Sequence, residues 1–130
     1  MGDEKIAILY VDDEEINLRL FKSTFRKEFD ISTANSAKDG LEILDRKKID
    51  VLITDQRMPE MTGNELLKEV NDRYPAVPPG RLILSGYSMP QIISEAFKKF
   101  NLYKFISKPW DEANLRQIFH DSMIAENYGK

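Results

Sequence analysis

The chain has 130 residues, of which 42% are hydrophobic and 32% charged, and its formal net charge is -3. These values are typical of one soluble globular domain with a core of its own, and they exclude disordered and fibrous compositions. The absence of cysteine excludes disulfides, thiolate nucleophiles and cysteine-based metal sites, and the acidic balance argues against direct nucleic-acid binding. The longest apolar run, residues 6–11, is too short to span a bilayer, and no signal-peptide pattern opens the chain. We therefore expect a cytoplasmic protein without a membrane segment.

The first part of the chain alternates between strand and helix patterns. The apolar run, bounded by charged residues, predicts a first strand over residues 5–11, and the alternation over residues 29–34 predicts a second strand at a sheet edge. Between them, apolar residues return at helical spacing and predict the buried face of a helix, formed by Ile16, Leu20, Phe21 and Phe25. Ser36 with Asp39 resembles a weak capping box and predicts the start of a second helix.

The same alternation continues through the middle of the chain. Residues 51–54 are apolar or β-branched and predict a buried third strand, which ends at Asp55. Thr62 with Glu65 forms a stronger capping-box pattern and predicts a third helix that ends before Tyr74.

Two further strands and two further helices are predicted in the last part of the chain. Residues 81–84 predict a fourth strand, and Ser88 with Gln91 predicts the cap of a fourth helix, whose apolar side is Ile92, Ile93, Ala96 and Phe97. Residues 102–107 predict a fifth strand, and a fifth helix is expected from about Asp111 to about Glu126.

Five strands that alternate with five helices indicate an α/β fold with a doubly wound parallel sheet, because parallel strands need helical crossovers. The first, third and fourth strands are continuously apolar, so they are expected at the centre of the sheet. This agrees with the strand order 2-1-3-4-5 of the flavodoxin-like architecture. We expect residues 1–130 to form one domain.

Charged and polar residues follow the strands at one edge of this sheet. The first strand delivers Asp12 and Asp13, the third Asp55, the fourth Ser85 and the fifth Lys108. Three carboxylates at close range repel one another and need a cation, and an all-oxygen site suits Mg²⁺. With a lysine and a hydroxyl nearby, this set is typical of phosphoryl transfer, for which Asp55 is the candidate nucleophile.

The motifs at this edge resemble those of the receiver domains of two-component response regulators, and the resemblance covers essentially the whole chain. The matching motifs are Val11-Asp12-Asp13-Glu14, Thr54-Asp55 followed by Met58-Pro59 and Thr62-Gly63, Leu84-Ser85-Gly86, and Ser107-Lys108-Pro109. They occur in the family's order and at its spacing.

This resemblance implies a role for each residue of the site. Asp55 is expected to be the phosphoacceptor, and Lys108 and Ser85 to contact the phosphoryl group. Mg²⁺ is expected to bind the carboxylates of Asp12, Asp13 and Asp55 and the backbone carbonyl of Arg57. Ser85 and Phe105 are expected to form a switch pair, in which the hydroxyl moves onto the phosphoryl group and the aromatic ring changes rotamer. The face formed by the fourth helix, the fifth strand and the fifth helix is then expected to change its affinity for a partner.

The implied function is a signalling switch that catalyses only its own phosphorylation and dephosphorylation. The expected phosphoryl donor is a histidine kinase or a histidine phosphotransfer protein, and the expected reader is an output domain, a downstream protein or a second copy of the phosphorylated chain. The chain is expected to be a single receiver domain, either whole or the excised N-terminal domain of a longer response regulator.

Two positions depart from the commoner members of this family. Arg57, two residues after Asp55, and Tyr87, two residues after Ser85, border the expected route of an attacking water. We expect their bulk to tune the lifetime of the phosphate. Two short motifs resemble those of receivers joined to larger effectors, such as transcriptional activators or cyclic-dinucleotide phosphodiesterases. These motifs are Gln56-Arg57 and Lys108-Pro109-Trp110-Asp111.

Two other functions fit the sequence less well, and two single residues have structural explanations. A haloacid-dehalogenase-like phosphatase needs two aspartates two residues apart, but Asp12 and Asp13 are adjacent. A flavodoxin-like electron carrier needs a phosphate loop that the acids after the first strand would repel. His120 lies off the apolar stripe of its helix and is expected to be exposed, and Trp110 is expected to pack in the domain.

Overall fold

The computed structural model describes residues 5–74, 80–86 and 89–128, with only the backbone described for residues 124–128. Five parallel strands form one sheet in the order β2-β1-β3-β4-β5, which confirms the predicted topology. The strands are β1 (Ala7–Val11), β2 (Asp30–Ala34), β3 (Val51–Thr54), β4 (Gly80–Ser85) and β5 (Lys104–Ser107).

Five helices cover both faces of the sheet: α1 (Glu15–Phe25), α2 (Ala37–Arg46), α3 (Gly63–Arg73), α4 (Pro90–Lys99) and α5 (Glu112–Tyr128). One apolar cluster joins α2, α3 and α4 to residues such as Leu9 and Val11, and a second joins α1 and α5 to Ile8 and Tyr10. Alternate residues of β1 thus belong to the two clusters on opposite faces of the sheet. Because both faces of β1 are buried, the strand is apolar at nearly every position. No helix within the described ranges is long and apolar enough to cross a membrane.

Local signals set the starts of two helices. The capping box of α3 is confirmed, because Thr62 accepts from the backbone of Glu65 while the Glu65 side chain accepts from the backbone of Thr62. Ser36 accepts from the backbone of Asp39 at 3.1 Å and caps α2. Helix α4 begins at Pro90 with Met89 at its N-cap position and no side-chain cap, and the predicted cap Ser88 lies outside the described residues.

The predicted faces of α1 and α4 are partly wrong. Ile16 is 75% exposed and Leu20 57% exposed, whereas Leu18, Phe21 and Phe25 are buried. Residues 18, 21 and 25 follow the helical repeat, and Phe21 and Phe25 pack against the ring of Phe119 on α5, so Ile16 and Leu20 fall outside this stripe. Phe97, which was expected on the apolar side of α4, is 46% exposed, while Ala96 is buried.

Strand β5 begins two residues later than predicted because the preceding chain belongs to the end of α4. The backbone N–H groups of Phe100 and Leu102 both donate to the carbonyl of Ala96, at 3.0 and 3.2 Å. Asn101 between them has φ 58°, the left-handed conformation that commonly ends a helix. The predictions for two single residues are confirmed: Trp110 packs near the rings of Phe21 and Phe25, and His120 is exposed.

Candidate functional site

The carboxyl edge of the sheet brings the predicted site residues together. Asp12 and Asp13 follow β1, Asp55 follows β3, Ser85 ends β4 and Lys108 follows β5. Backbone hydrogen bonds extend the sheet beyond the strands: Asp12 donates to Ala34 at 3.1 Å, Asp55 to Val11 at 2.9 Å and Lys108 to Ser85 at 3.0 Å. The position of each functional residue is therefore fixed by the neighbouring strand.

The three aspartates form a compact group of oxygen ligands. Asp12, Asp13 and Asp55 each offer one carboxylate oxygen, and these oxygens all lie within 4.8 Å of one another. Asp12 is completely buried and Asp55 is 7% exposed, whereas Asp13 is exposed. A group of carboxylates with one side open to solvent fits Mg²⁺, which prefers oxygen ligands and keeps several of its waters.

Lys108 supplies a positive charge to this group. Its Nζ lies 3.3 Å from Asp12 Oδ2 and 3.5 Å from Asp55 Oδ2, and its side chain is 24% exposed. One ammonium offsets only part of the charge of three carboxylates, so the group still favours an added cation. Lys108 also lies within reach of any group attached to the Asp55 oxygen.

The loop after Asp55 is tied to α3 by Gln56, a residue to which the sequence assigned no structural role. Asp55 Oδ1 accepts from the backbone of Gln56 at 2.8 Å, and the buried Gln56 side chain accepts from the backbone of Asn64 at 3.0 Å. Gly63 lies so close that a Cβ there would meet the Asp55 carbonyl oxygen at 2.7 Å. Glycine at this position therefore allows the loop after Asp55 to pack against the start of α3.

Asp12 is held by two side chains that the sequence did not point to. Its Oδ2 accepts from the Tyr10 hydroxyl at 2.6 Å and from Asn17 Nδ2 at 3.1 Å, and its Oδ1 accepts from the backbone of Glu14 at 3.0 Å. Burial raises the pKa of Tyr10 far above its usual value, and the hydrogen bond to Asp12 adds to this shift. The hydroxyl of Tyr10 is therefore protonated and donates to the carboxylate.

The residues predicted to form the switch lie on adjacent strands. Ser85 is 2% exposed at the end of β4, and β5 pairs Phe105 with Ile83 and Ser107 with Ser85. Phe105 is half-buried against the core cluster that includes α4. Of the two residues expected to tune the phosphate lifetime, the Arg57 side chain is exposed and Tyr87 lies outside the described residues. The backbone carbonyl of Arg57 remains a predicted metal ligand.

The sequence profile of the response regulator receiver domain family matches residues 8–120. The chain belongs to this family. This receiver domain is 36% identical to the hydrogenase transcriptional regulatory protein HoxA of Cupriavidus necator over 126 residues, which are 97% of the chain and 26% of HoxA. It is 32% identical over 124 residues to the transcriptional regulatory protein GlrR of Escherichia coli, covering 95% of the chain and 27% of GlrR.

The solved structures give the same assignment. The signal receiver domain of an HD domain-containing protein from Pseudomonas fluorescens Pf-5 matches with a TM-score of 0.88 and 25% identity, over 96% of this chain and 99% of that chain. The receiver domain described here spans about a quarter of the length of HoxA and GlrR. It is a signalling domain of the response regulator type, a class that works in phosphorylation-dependent signalling.

Proposed function

We propose that this receiver domain is a switch that accepts a phosphoryl group on Asp55 from a histidine kinase or a histidine phosphotransfer protein. The observation that carries the proposal is the convergence of Asp12, Asp13 and Asp55 within 4.8 Å, with Lys108 bridging two of them. The carboxylates of these aspartates and the backbone carbonyl of Arg57 would hold Mg²⁺. Bound there, the ion would offset the negative charge of the phosphoryl oxygens.

The chain's own residues perform the transfer by orientation and charge. An oxygen of Asp55 attacks the phosphorus, the bond from phosphorus to the donor's imidazole nitrogen breaks, and its electron pair leaves with the imidazole. The hydrogen bond from the Gln56 backbone to Asp55 Oδ1 holds the carboxylate, so that Oδ2 is the oxygen nearer Lys108. After the transfer, the ammonium of Lys108 pairs with the charged phosphoryl oxygens instead of the Asp55 carboxylate.

The phosphorylated state would be read through Ser85 and Phe105. The Ser85 hydroxyl lies at the carboxyl end of β4 and would donate to the new phosphoryl oxygens, while Phe105 on β5 would change rotamer. The partner-binding face would comprise α4, β5 and α5, where Phe97 is 46% exposed. A switch of this kind shifts a population between two conformations by the difference in their affinity for the phosphoryl group and the partner.

The reader of this state is proposed to be an output domain, a downstream protein or a second phosphorylated copy of the domain. The names of HoxA and GlrR describe transcriptional regulators, and both are much longer than this chain, which supports a receiver that controls an attached output domain. The chain would catalyse only its own phosphorylation and dephosphorylation. Arg57 and Tyr87 would tune the lifetime of the phosphate by restricting the attacking water.

The test is the intact mass of the protein after incubation with acetyl phosphate and Mg²⁺. We expect a labile phosphoryl adduct on the wild type and none on Asp55→Asn. Asp72→Asn is the matched control, because Asp72 is an exposed aspartate whose ion pair with Lys68 lies on the surface of α3, and this variant should take up the adduct as the wild type does. An adduct on Asp55→Asn, or no adduct on the wild type, would contradict the proposal.

A further inference from the structure

Asp12 and Asp13 follow one another in the chain but are held very differently. Asp12 is completely buried, and its Oδ2 receives donors from Tyr10, Asn17 and Lys108. Asp13 is exposed, and among the described residues its carboxylate makes no hydrogen bond. Of the three carboxylates, Asp12 is therefore held by the most hydrogen bonds and Asp13 by none among the described residues, so Asp12 contributes most to the fixed geometry that an ion meets.

The shortest of these three hydrogen bonds comes from a side chain that is held by the packing of its ring. Tyr10 is 1% exposed in the middle of β1, where it pairs with Thr33 on one side and Ile53 on the other. Its ring lies 4.7 Å from the ring of Phe21, centroid to centroid. The hydroxyl donates to Asp12 Oδ2 at 2.6 Å, the length of a strong hydrogen bond to a charged acceptor.

We propose that Tyr10 is a positioning residue whose hydrogen bond fixes the Asp12 carboxylate and thereby makes the site selective for Mg²⁺ over Ca²⁺. This inference rests on the metal site of the proposed function. Mg²⁺ requires nearly ideal octahedral geometry at short distances, whereas Ca²⁺ accepts longer and more variable arrangements. A ligand fixed in one orientation favours the ion with the stricter geometry, and partners that orient metal ligands commonly change metal affinity by about 10-fold to 100-fold.

The test compares the affinities of Mg²⁺ and Ca²⁺, each added alone, for three folded proteins by calorimetric titration. Tyr10→Phe removes one oxygen atom and retains the ring packed against Phe21. Tyr103→Phe is the matched control, because Tyr103 is a partly buried tyrosine of the same apolar cluster with no described contact to Asp12. We expect Tyr10→Phe to weaken Mg²⁺ binding about 10-fold and Ca²⁺ binding by less than about 3-fold, and Tyr103→Phe to change neither.

A second variant tests the same effect on the orientation of the Asp12 carboxylate by removing a different donor. Asn17 is half-buried and donates to the same Asp12 oxygen, so Asn17→Ala should reduce the preference for Mg²⁺ in the same direction. This variant serves even where Tyr10→Phe fails to fold.

The outcomes separate this inference from the proposed function. Equal losses for both ions in Tyr10→Phe, or no loss for Mg²⁺, would overturn the role of Tyr10 while the metal site itself stands. If the wild type binds Mg²⁺ and Asp12→Asn does not, the result supports the metal site. A wild type that binds neither ion would overturn both, and phosphoryl uptake by Asp55 is measured separately.

Discussion

The receiver domain buries charge at both ends of its sheet, in two opposite ways. At the carboxyl end, one lysine pairs with two of three clustered aspartates, and the third aspartate, Asp13, is open to solvent. At the other end, near the start of β4, Arg81 is 1% exposed. It donates to the carbonyls of Tyr74 and Phe100, at 2.5 and 3.3 Å, and to Asn71 Oδ1 at 2.9 Å.

The difference lies in what neutralises each charge. Tyr74 and Phe100 are the C-cap residues of α3 and α4, so their carbonyls are free of helical partners and lie at the negative ends of two helix dipoles. The fold thus supplies the acceptors for Arg81, although burial lowers the pKa of Arg81 below its usual value. At the acidic end the fold leaves negative charge in excess. The end with Arg81 therefore contributes to stability, and the acidic end has the charge that the proposed cation and phosphoryl group would need.

Replacing Arg81 should have the largest effect on stability. Arg81→Met retains a long apolar side chain but removes the donor to the buried carbonyl of Phe100 and to the partly buried carbonyl of Tyr74, while Asn71 Oδ1 keeps its donor from Asn101; each unsatisfied buried group costs about 1 to 3 kcal/mol. We expect the free energy of unfolding, measured by urea titration, to fall by at least about 2 kcal/mol.

The control for Arg81 is an arginine whose ion pairs are exposed. Arg73 pairs with Glu69 and Asp45 at the surface, so Arg73→Met should cost less than about 1 kcal/mol. Equal effects of the two substitutions would show that the buried guanidinium is no more important than a surface pair.

Gly63→Ala should have the next largest effect, because the new methyl group would meet the carbonyl oxygen of Asp55 at 2.7 Å. Relief of this overlap moves the loop after Asp55 or α3, at a cost of about 1 to 3 kcal/mol, and should also slow phosphoryl uptake. Gly86→Ala is the matched control, since a Cβ there has no atom within 4 Å. Its unfolding free energy, measured by the same urea titration, should change by less than about 0.5 kcal/mol.

Asp13→Asn should have a smaller effect whose sign depends on Mg²⁺. Without the ion, the substitution removes a like charge from the group of three carboxylates and should raise the unfolding free energy by up to about 1 kcal/mol. With Mg²⁺ in excess, the wild type gains stability by binding the ion, and the variant gains less. Thermal unfolding of both proteins with and without Mg²⁺ tests this, and a variant that is less stable in both conditions would contradict it.

The smallest effect is expected for an exposed ion pair. Arg116 hydrogen-bonds to Glu28 and lowers the pKa of that carboxyl. A lowered folded-state pKa stabilises the protein above the pKa of the unfolded state, and this contribution disappears as the pH falls through the folded-state pKa. Glu28→Gln should therefore lower the urea midpoint slightly at neutral pH and not at all in acid. High salt should reduce the neutral difference, and a difference that grows in acid would contradict the assignment.

The sequence predicted the sheet order and the convergence of the site because both follow from simple periodic rules. Continuous apolar runs marked the central strands, and Asp12, Asp55 and Lys108 each stood directly after a strand. Parallel strands end at the same edge, so these residues had to meet. The bounds of β5 were less predictable, since the N–H of Leu102 bonds to the end of α4 rather than to the sheet.

Contacts that depend on a single orientation were not predictable. In the sequence of α1, Ile16 and Leu20 fit a helical apolar stripe as well as Leu18 does. Which stripe is buried depends on how the helix is rotated about its axis, and this rotation is set by packing of Phe25 against Phe119 of α5. Tyr10 could have been suspected, because a buried hydroxyl needs a partner and residues two apart in a strand share a face. The close approach of Gly63 to Asp55 required the structure.

The central claim is that the acidic end of the sheet carries its phosphoryl group on Asp55, and chemical trapping tests it most directly. The protein is phosphorylated with acetyl phosphate and Mg²⁺, reduced with borohydride and digested, and the peptides are sequenced by mass spectrometry. Hydride reduces an acyl phosphate to an alcohol and releases phosphate, so we predict homoserine in place of aspartate at position 55 alone. Conversion at position 12 or 13, or a phosphoryl group that survives borohydride on another residue type, would contradict the account.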